Sequence, residues 1–174
     1  TTVPDVPSYA FLGPVGSTVY ILPQIQNPDL LWPGWETLNL PTGTFAGAKI
    51  RLTLVGVDGP GNVSVFVNDA FGAAQVLFRS DDGLPDGIDV GDHVHAHANW
   101  AFSALGEYTL KFQATANLLD GTPVTSPVTD YTFVIGDLNQ QPEVELDIFG
   151  LEDSYTPGQQ VNLVAMQTPE TDLD

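Results

Sequence analysis

Gly91-Asp92-His93-Val94-His95-Ala96-His97-Ala98-Asn99-Trp100-Ala101-Phe102 holds all three histidines of the chain. Read as a strand, it sorts by parity, because successive side chains leave a strand on opposite faces. Val94, Ala96, Ala98, Trp100 and Phe102 fall on one face, which belongs to a core. His93, His95, His97 and Asn99 fall on the other. The same period of two recurs along the chain. Ile50, Leu52 and Leu54 alternate with Lys49, Arg51 and Thr53. Val63, Val65 and Val67 follow the turn Asp58-Gly59-Pro60-Gly61. Tyr108, Leu110, Phe112, Ala114 and Ala116 alternate with polar residues, as do Tyr131, Phe133 and Ile135. Turn signals stand between these runs, around Gly43, Gly59, Gly83, Gly106 and Gly121. No apolar stretch keeps a helical period beyond two turns. The pattern predicts an all-β chain, an immunoglobulin-like antiparallel β-sandwich. Ser103-Ala104-Leu105-Gly106 is expected to turn the chain back as a hairpin, laying Tyr108–Asn117 beside the histidine strand.

The rest of the composition fits a folded domain. The 174 residues suffice for one domain with a sizeable core, or for one domain plus a fragment of another. Four Lys and Arg stand against 22 Asp and Glu, a formal net charge of −18. Such a surface repels phosphate backbones and anionic headgroups, which argues against nucleic-acid binding. Charged residues are nevertheless only 15% and hydrophobic residues 43%, so the charge reflects scarce cations rather than disordered acidic blocks. No apolar run approaches the 18 or so residues of a membrane-spanning helix, so direct membrane insertion is not expected. The absence of cysteine removes disulfides, thiolate metal sites and cysteine nucleophiles.

Three segments are expected: a β-sandwich domain over residues 1–137, a linker over 138–142 around Pro142, and a partial second module or docking hairpin over 143–174. In the last, Val144, Leu146 and Ile148 alternate with acids, and Val161, Leu163 and Ala165 follow the turn Thr156-Pro157-Gly158. Two strands cannot bury a core alone. This segment is therefore the expected seat of self-association or of contact with other surface proteins. Residues 169–174 read as a tail without structure of its own.

The histidines are the candidate site. Two residues along a strand rise ~6.6 Å, so neighbouring imidazoles on one face can lean onto a common metal ion. His93 and His97, about 13 Å apart by the same rise, cannot easily share one. The expected ligand pair for zinc or copper is His95/His97 or His93/His95. A third ligand is sought in Asp92, Asp89 or Glu107. The loop Ser80–Asp92 offers Asp81, Asp82, Asp86, Asp89 and Asp92 as candidate calcium ligands, although its spacing is not that of an EF-hand. Trp32, Trp35 and Tyr20 are candidates for a sugar-stacking platform or for core positions. No Gly-x-Ser-x-Gly elbow is present and nothing points to a catalytic triad, so the chain reads as non-enzymatic.

One family is similar. The segments Leu22-Pro23-Gln24-Ile25-Gln26-Asn27-Pro28 with Gly34, Val57-Asp58-Gly59-Pro60-Gly61, His95-Ala96-His97-Ala98-Asn99-Trp100-Ala101-Phe102 with Gly106-Glu107-Tyr108, and Tyr131-Thr132-Phe133-Val134-Ile135-Gly136 resemble the choice-of-anchor M domain, also described as an actinobacterial-type surface-anchored protein domain. The resemblance covers about residues 15–136. It implies an exported bacterial cell-surface protein, with His95, His97 and Asn99 in the shared motif and His93 an addition to it. Some relatives are associated with metal-uptake transporters. The expected function is a structural or adhesive surface module, with a metal-binding accessory protein as second reading and a carbohydrate-binding module as third.

Overall fold

In the computed structural model, residues 1–136 are described in full, and residues 144–149 and 164–169 by their backbone alone. The chain divides into two units, Thr1–Ile135 and Gly136–Asp174.

The first unit is built on its longest alternating runs, β3 (Phe45–Asp58) and β9 (Gly106–Leu118), which pair antiparallel. β6 (Asp86–Gly91) flanks β3 on its other edge, and β10 (Pro123–Thr125) and β11 (Thr129–Ile135) share the outer edge of β9. The opposing sheet runs in the order β1 (Tyr20–Leu22), β8 (Asn99–Phe102), β4 (Val63–Asn68) and β5 (Ala74–Arg79). Its pairings are antiparallel as well. A separate two-stranded ladder joins β2 (Gly34–Glu36) to β7 (His95–His97).

The expected antiparallel sandwich is therefore present, and its core follows parity. Val63, Val65, Phe78, Trp100 and Phe102 from one sheet meet Leu54, Tyr108, Leu110, Phe112 and Phe133 from the other. Aromatic pairs close the gap between the sheets: Trp100 with Phe133 at 5.5 Å, Phe78 with Phe112 at 5.5 Å, and Phe102 with Tyr108 at 5.0 Å between centroids. Burial of such rings, at roughly 25 cal/mol per Å² of apolar surface, is the main force holding the sheets together.

Parity is incomplete in one respect. Ala101, on the supposedly solvated side, is 2% exposed. The N-terminal segment folds over that face, with the 3₁₀ helix Pro7–Leu12 at its centre. Val3, Leu12 and Val19 pack there on Phe66 and Ala101 as a second apolar cluster. A covered outer face of this kind weakens the period-two signature, since Phe66 and Ala101 are then as buried as the core-facing residues beside them.

Two expectations about the histidine segment are corrected. It is not one strand: β7 and β8 belong to different ladders, and fully buried Ala98 lies between them. Its sequel is not a hairpin either. β8 and β9 lie in opposite sheets, so Ser103–Leu105 arches across the sandwich instead. The Tyr108 hydroxyl holds that arch by donating to the Ala104 carbonyl at 2.9 Å and accepting from the Ala104 N–H at 3.2 Å. Gly59 passes so close to this ring that a Cβ there would stand 2.9 Å from its Cγ, which explains a glycine at the β3–β4 turn.

In the second unit, β12 (Val144–Phe149) pairs antiparallel with β13 (Val164–Pro169), in register from Val144 opposite Pro169 to Phe149 opposite Val164. The described part of the second strand takes in Pro169, where a tail was expected. Proline suits the end of a ladder, where its missing N–H costs no pairing. The expected linker 138–142, the turn at Thr156–Gly158, Val161, Leu163 and residues 170–174 lie outside the described residues.

Candidate metal centre

Thr37 sets the entry to the histidine strand. Its hydroxyl donates to the Gly91 carbonyl at 2.8 Å and accepts from the Val94 N–H at 2.9 Å, while its own N–H donates to the Val94 carbonyl at 2.8 Å. From there β7 pairs with β2, setting Glu36 opposite His95 and Gly34 opposite His97. Ala96 and Trp35 line an apolar cleft of about 490 Å³ together with Val67, Leu77 and Ile88. Parity sends His95 and His97 to the opposite side.

The two imidazoles meet. Nε2 of His95 lies 2.9 Å from Nε2 of His97, with ring centroids 4.9 Å apart and planes at 65°. Each Nδ1 has an acceptor: Glu36 Oε2 at 3.2 Å from His95 and the Pro33 carbonyl at 3.2 Å from His97. A carboxylate and a carbonyl only accept, so both Nδ1 atoms carry the proton. With both rings neutral in that tautomer, both Nε2 atoms are acceptors, and the 2.9 Å contact between them becomes a hydrogen bond when one of them takes up a proton. Two lone pairs at this distance repel unless a proton lies between them; an ion ~2.0–2.1 Å from each nitrogen would sit off the line that joins them. A histidine whose distal nitrogen is tied to a carboxylate or carbonyl is the usual form of a metal-ligating histidine, because that bond fixes tautomer and ring orientation.

His97 is further held by Trp32, whose indole lies flat on it, with centroids 3.5 Å apart and planes 2° apart. Trp32 is itself anchored, its Nε1–H donating to the Gln24 carbonyl at 2.9 Å. The Gln24 N–H donates to Asn99 Oδ1 at 2.9 Å, which links the wall of the site to the first residue of β8. Gly34 is demanded by close approach. A Cβ there would overlap the Ala96 carbonyl oxygen and stand 2.8 Å from His97 Nδ1.

The other candidates do not join this site. His93 sits in a turn with φ of 55° and contacts the Thr42 hydroxyl at 3.2 Å, so of the two expected pairs only His95/His97 forms. Asp89 pairs with Arg51 at 3.1 Å and Lys49 at 3.7 Å. Asp81 holds the Arg79 guanidinium through two bonds, Asp82 stands 3.9 Å from it, and Asp86 accepts the Arg79 backbone N–H at 2.7 Å. The carboxylates proposed for calcium are thus divided among cations and backbone along the loop. Among the described residues, no three His, Asp or Glu side chains converge as metal ligands, and neither Asp92 nor Glu107 supplies a third one. Trp32, Trp35 and Tyr20 make no common platform: Trp32 stacks on His97, while Trp35 and Tyr20 pack against the main core.

All four cationic side chains of the chain, Lys49, Arg51, Arg79 and Lys111, are ion-paired with aspartates. The rest of the charge on this unit is negative, a field that draws cations toward the surface. Among the described residues no helix is long and apolar enough to cross a membrane. No family model, curated protein or solved structure matches the chain.

Proposed function

We propose that the chain is a non-enzymatic binding module of a bacterial surface protein, and that it captures a divalent transition-metal ion through His95 and His97. The observation that carries this reading is the meeting of two Nε2 atoms at 2.9 Å on one exposed face, each ring oriented from behind by an acceptor near Nδ1. Zinc and copper both favour imidazole nitrogen. The anionic surface concentrates cations around the site. The surface location rests on the resemblance to the choice-of-anchor M domain. The immunoglobulin-like detail is supported by Tyr108, whose hydroxyl bonds back to Ala104 as a tyrosine corner does.

The test is thermal. An ion that binds only the folded chain raises its melting temperature by mass action. Zinc or copper(II) should do so at neutral pH, and the double substitution His95→Ala, His97→Ala should remove the shift. Acidification should weaken binding, since protons compete for the same lone pairs. An unchanged melting temperature in excess of either metal refutes the reading.

A second reading, a structural module that self-associates, is favoured by one observation. The second unit shows only a two-stranded ladder among its described residues, and such a ladder is not stable by itself in water.

A further inference from the structure

The apolar cleft beside β7 is bordered by an open strand edge, and its surroundings specify an occupant. The proposal made from them rests on the second reading above, self-association through the second unit, and names the two surfaces that meet. Val67 and Leu77 line the cleft from one sheet and Ile88 from the other, with Trp35 and Ala96 beside them. Two edge strands, β5 and β6, therefore border it. The ladder of β5 shifts register between Val65 and Phe66, an irregularity of the kind that blunts an edge. β6 keeps six consecutive pairs with β3 and pairs with no other strand among the described residues. The Asp92 N–H donates to the Ala48 carbonyl of β3, whereas the Gly91 carbonyl accepts from the Thr37 hydroxyl instead. By the alternation of an antiparallel ladder, Gly87 and Asp89 share the parity of Gly91 and turn N–H and C=O toward the open side.

The charge at this edge differs from the rest of the surface. Arg79 faces two carboxylates, Asp81 and Asp82, and Lys111 faces Asp58 and Asp130. At β6 the ratio is reversed, because Lys49 and Arg51 share Asp89 alone. Arg51 lies over β6 itself: a Cβ at Gly87 would stand 2.6 Å from its Nε. In a chain of net charge −18 this is a cationic rim beside an apolar cleft. A strand that fits both must alternate acidic with apolar residues. β12 does so. Val144, Leu146 and Ile148 take one parity, and Glu145 and Asp147 the other, with Phe149 ending that second series. It has six residues, as has β6.

We propose that copies of this chain join head to tail by strand addition. β12 of one copy pairs with the free edge of β6 in the next, seating Val144, Leu146 and Ile148 over the cleft and Glu145 and Asp147 against Lys49 and Arg51. Donor strand and acceptor edge are different surfaces, so the contact is heterologous and adds copies one after another.

The experiment uses the full chain at about 0.15 M salt, where a Debye length of ~8 Å screens the general repulsion between acidic copies more than ion pairs in contact. Light scattering should show mass rising with protein concentration. Hydrogen exchange should slow at Gly87 and Asp89 as it rises, but not along β5. Lys49→Glu combined with Arg51→Glu, at two exposed side chains, should leave the chain folded and monomeric. Leu146→Asp should leave it monomeric as well. A mixture of these two variants should stop at the dimer, since one supplies the only intact donor strand and the other the only intact edge. Association unaffected by the Lys49 and Arg51 substitutions, or exchange slowed along β5 instead, overturns the strand addition while leaving self-association standing. A parent chain that stays monomeric at every concentration, in higher salt as well, overturns both.

Discussion

The indole of Trp32 and the imidazole of His97 lie parallel to within 2°, their centroids 3.5 Å apart. The contact joins the loop before β2 to β7 and fixes the plane of one of the two converging rings. It also places an intrinsic fluorophore against a candidate metal ligand.

Trp32→Ala should therefore weaken metal binding without unfolding the chain, because Trp32 lies outside both apolar clusters. An aromatic pair contributes about 0.5–1.5 kcal/mol, so the dissociation constant should rise about two- to thirteenfold. Titration calorimetry on the folded variant measures this. An unchanged constant would show that the stack does not position His97.

Gly34→Ala should be worse for the site than its size suggests. The new methyl meets the Ala96 carbonyl and His97 Nδ1, so β2 and β7 must part. Overpacking of this kind costs about 1–3 kcal/mol. Urea unfolding should register that loss, and metal should no longer raise the melting temperature.

Trp100 separates packing from hydrogen bonding. It is 5% exposed, and its buried indole Nε1 finds no hydrogen-bond partner among the described residues. Trp100→Ala should cost about 3–5 kcal/mol, as for other large core aromatics. Trp100→Phe should cost clearly less, since it keeps most of the ring and removes the unpaired N–H. Equal costs in chemical denaturation would contradict this account.

The Arg79–Asp81 pair predicts a pH effect of defined sign. Its hydrogen bond to Arg79 holds the Asp81 carboxyl below the ordinary aspartate value, against an opposing effect of burial. A group depressed in the folded state stabilises above its unfolded pKa, about 3.9, and that contribution disappears as pH falls through the folded value. Asp81→Asn should thus be less stable than the parent at neutral pH, with the gap closing in acid. The two side chains remain 26% and 31% exposed, so the gap should stay below about 1 kcal/mol. Urea midpoints at neutral and strongly acid pH decide it; a gap independent of pH would exclude the ion pair as its cause.

The second unit yields a prediction about assembly. If residues 137–174 mediate self-association, the full chain should grow by light scattering in high salt or calcium, which screen or bridge carboxylates. A chain ending at Gly136 should remain monomeric. Two monomeric chains under all conditions would dispose of the self-assembly reading.

Much of the sandwich was legible locally. Alternation placed Leu54, Val63, Val65, Trp100, Phe102, Tyr108 and Leu110 in the core, and all are buried. It was less informative where both faces of a strand are covered, as at Phe66 and Ala101 beneath the N-terminal segment. It was misleading where a continuous alternating run changes ladders at Ala98, because period two reports the face of a strand and not its partner.

The site divides along the same line. By itself, the sequence determined that His95 and His97 share a face two residues apart, because strand geometry fixes that parity and spacing locally. Only the tertiary structure decided that His93 turns away with a positive φ, that Glu36 and Pro33 orient the two rings, and that Trp32 and Gly34 shape the wall behind them. Those partners lie some sixty residues from the histidines, and β2 reaches β7 only through ladder pairing between distant segments. Such pairing is set by the packing of the whole unit, and no local pattern encodes it.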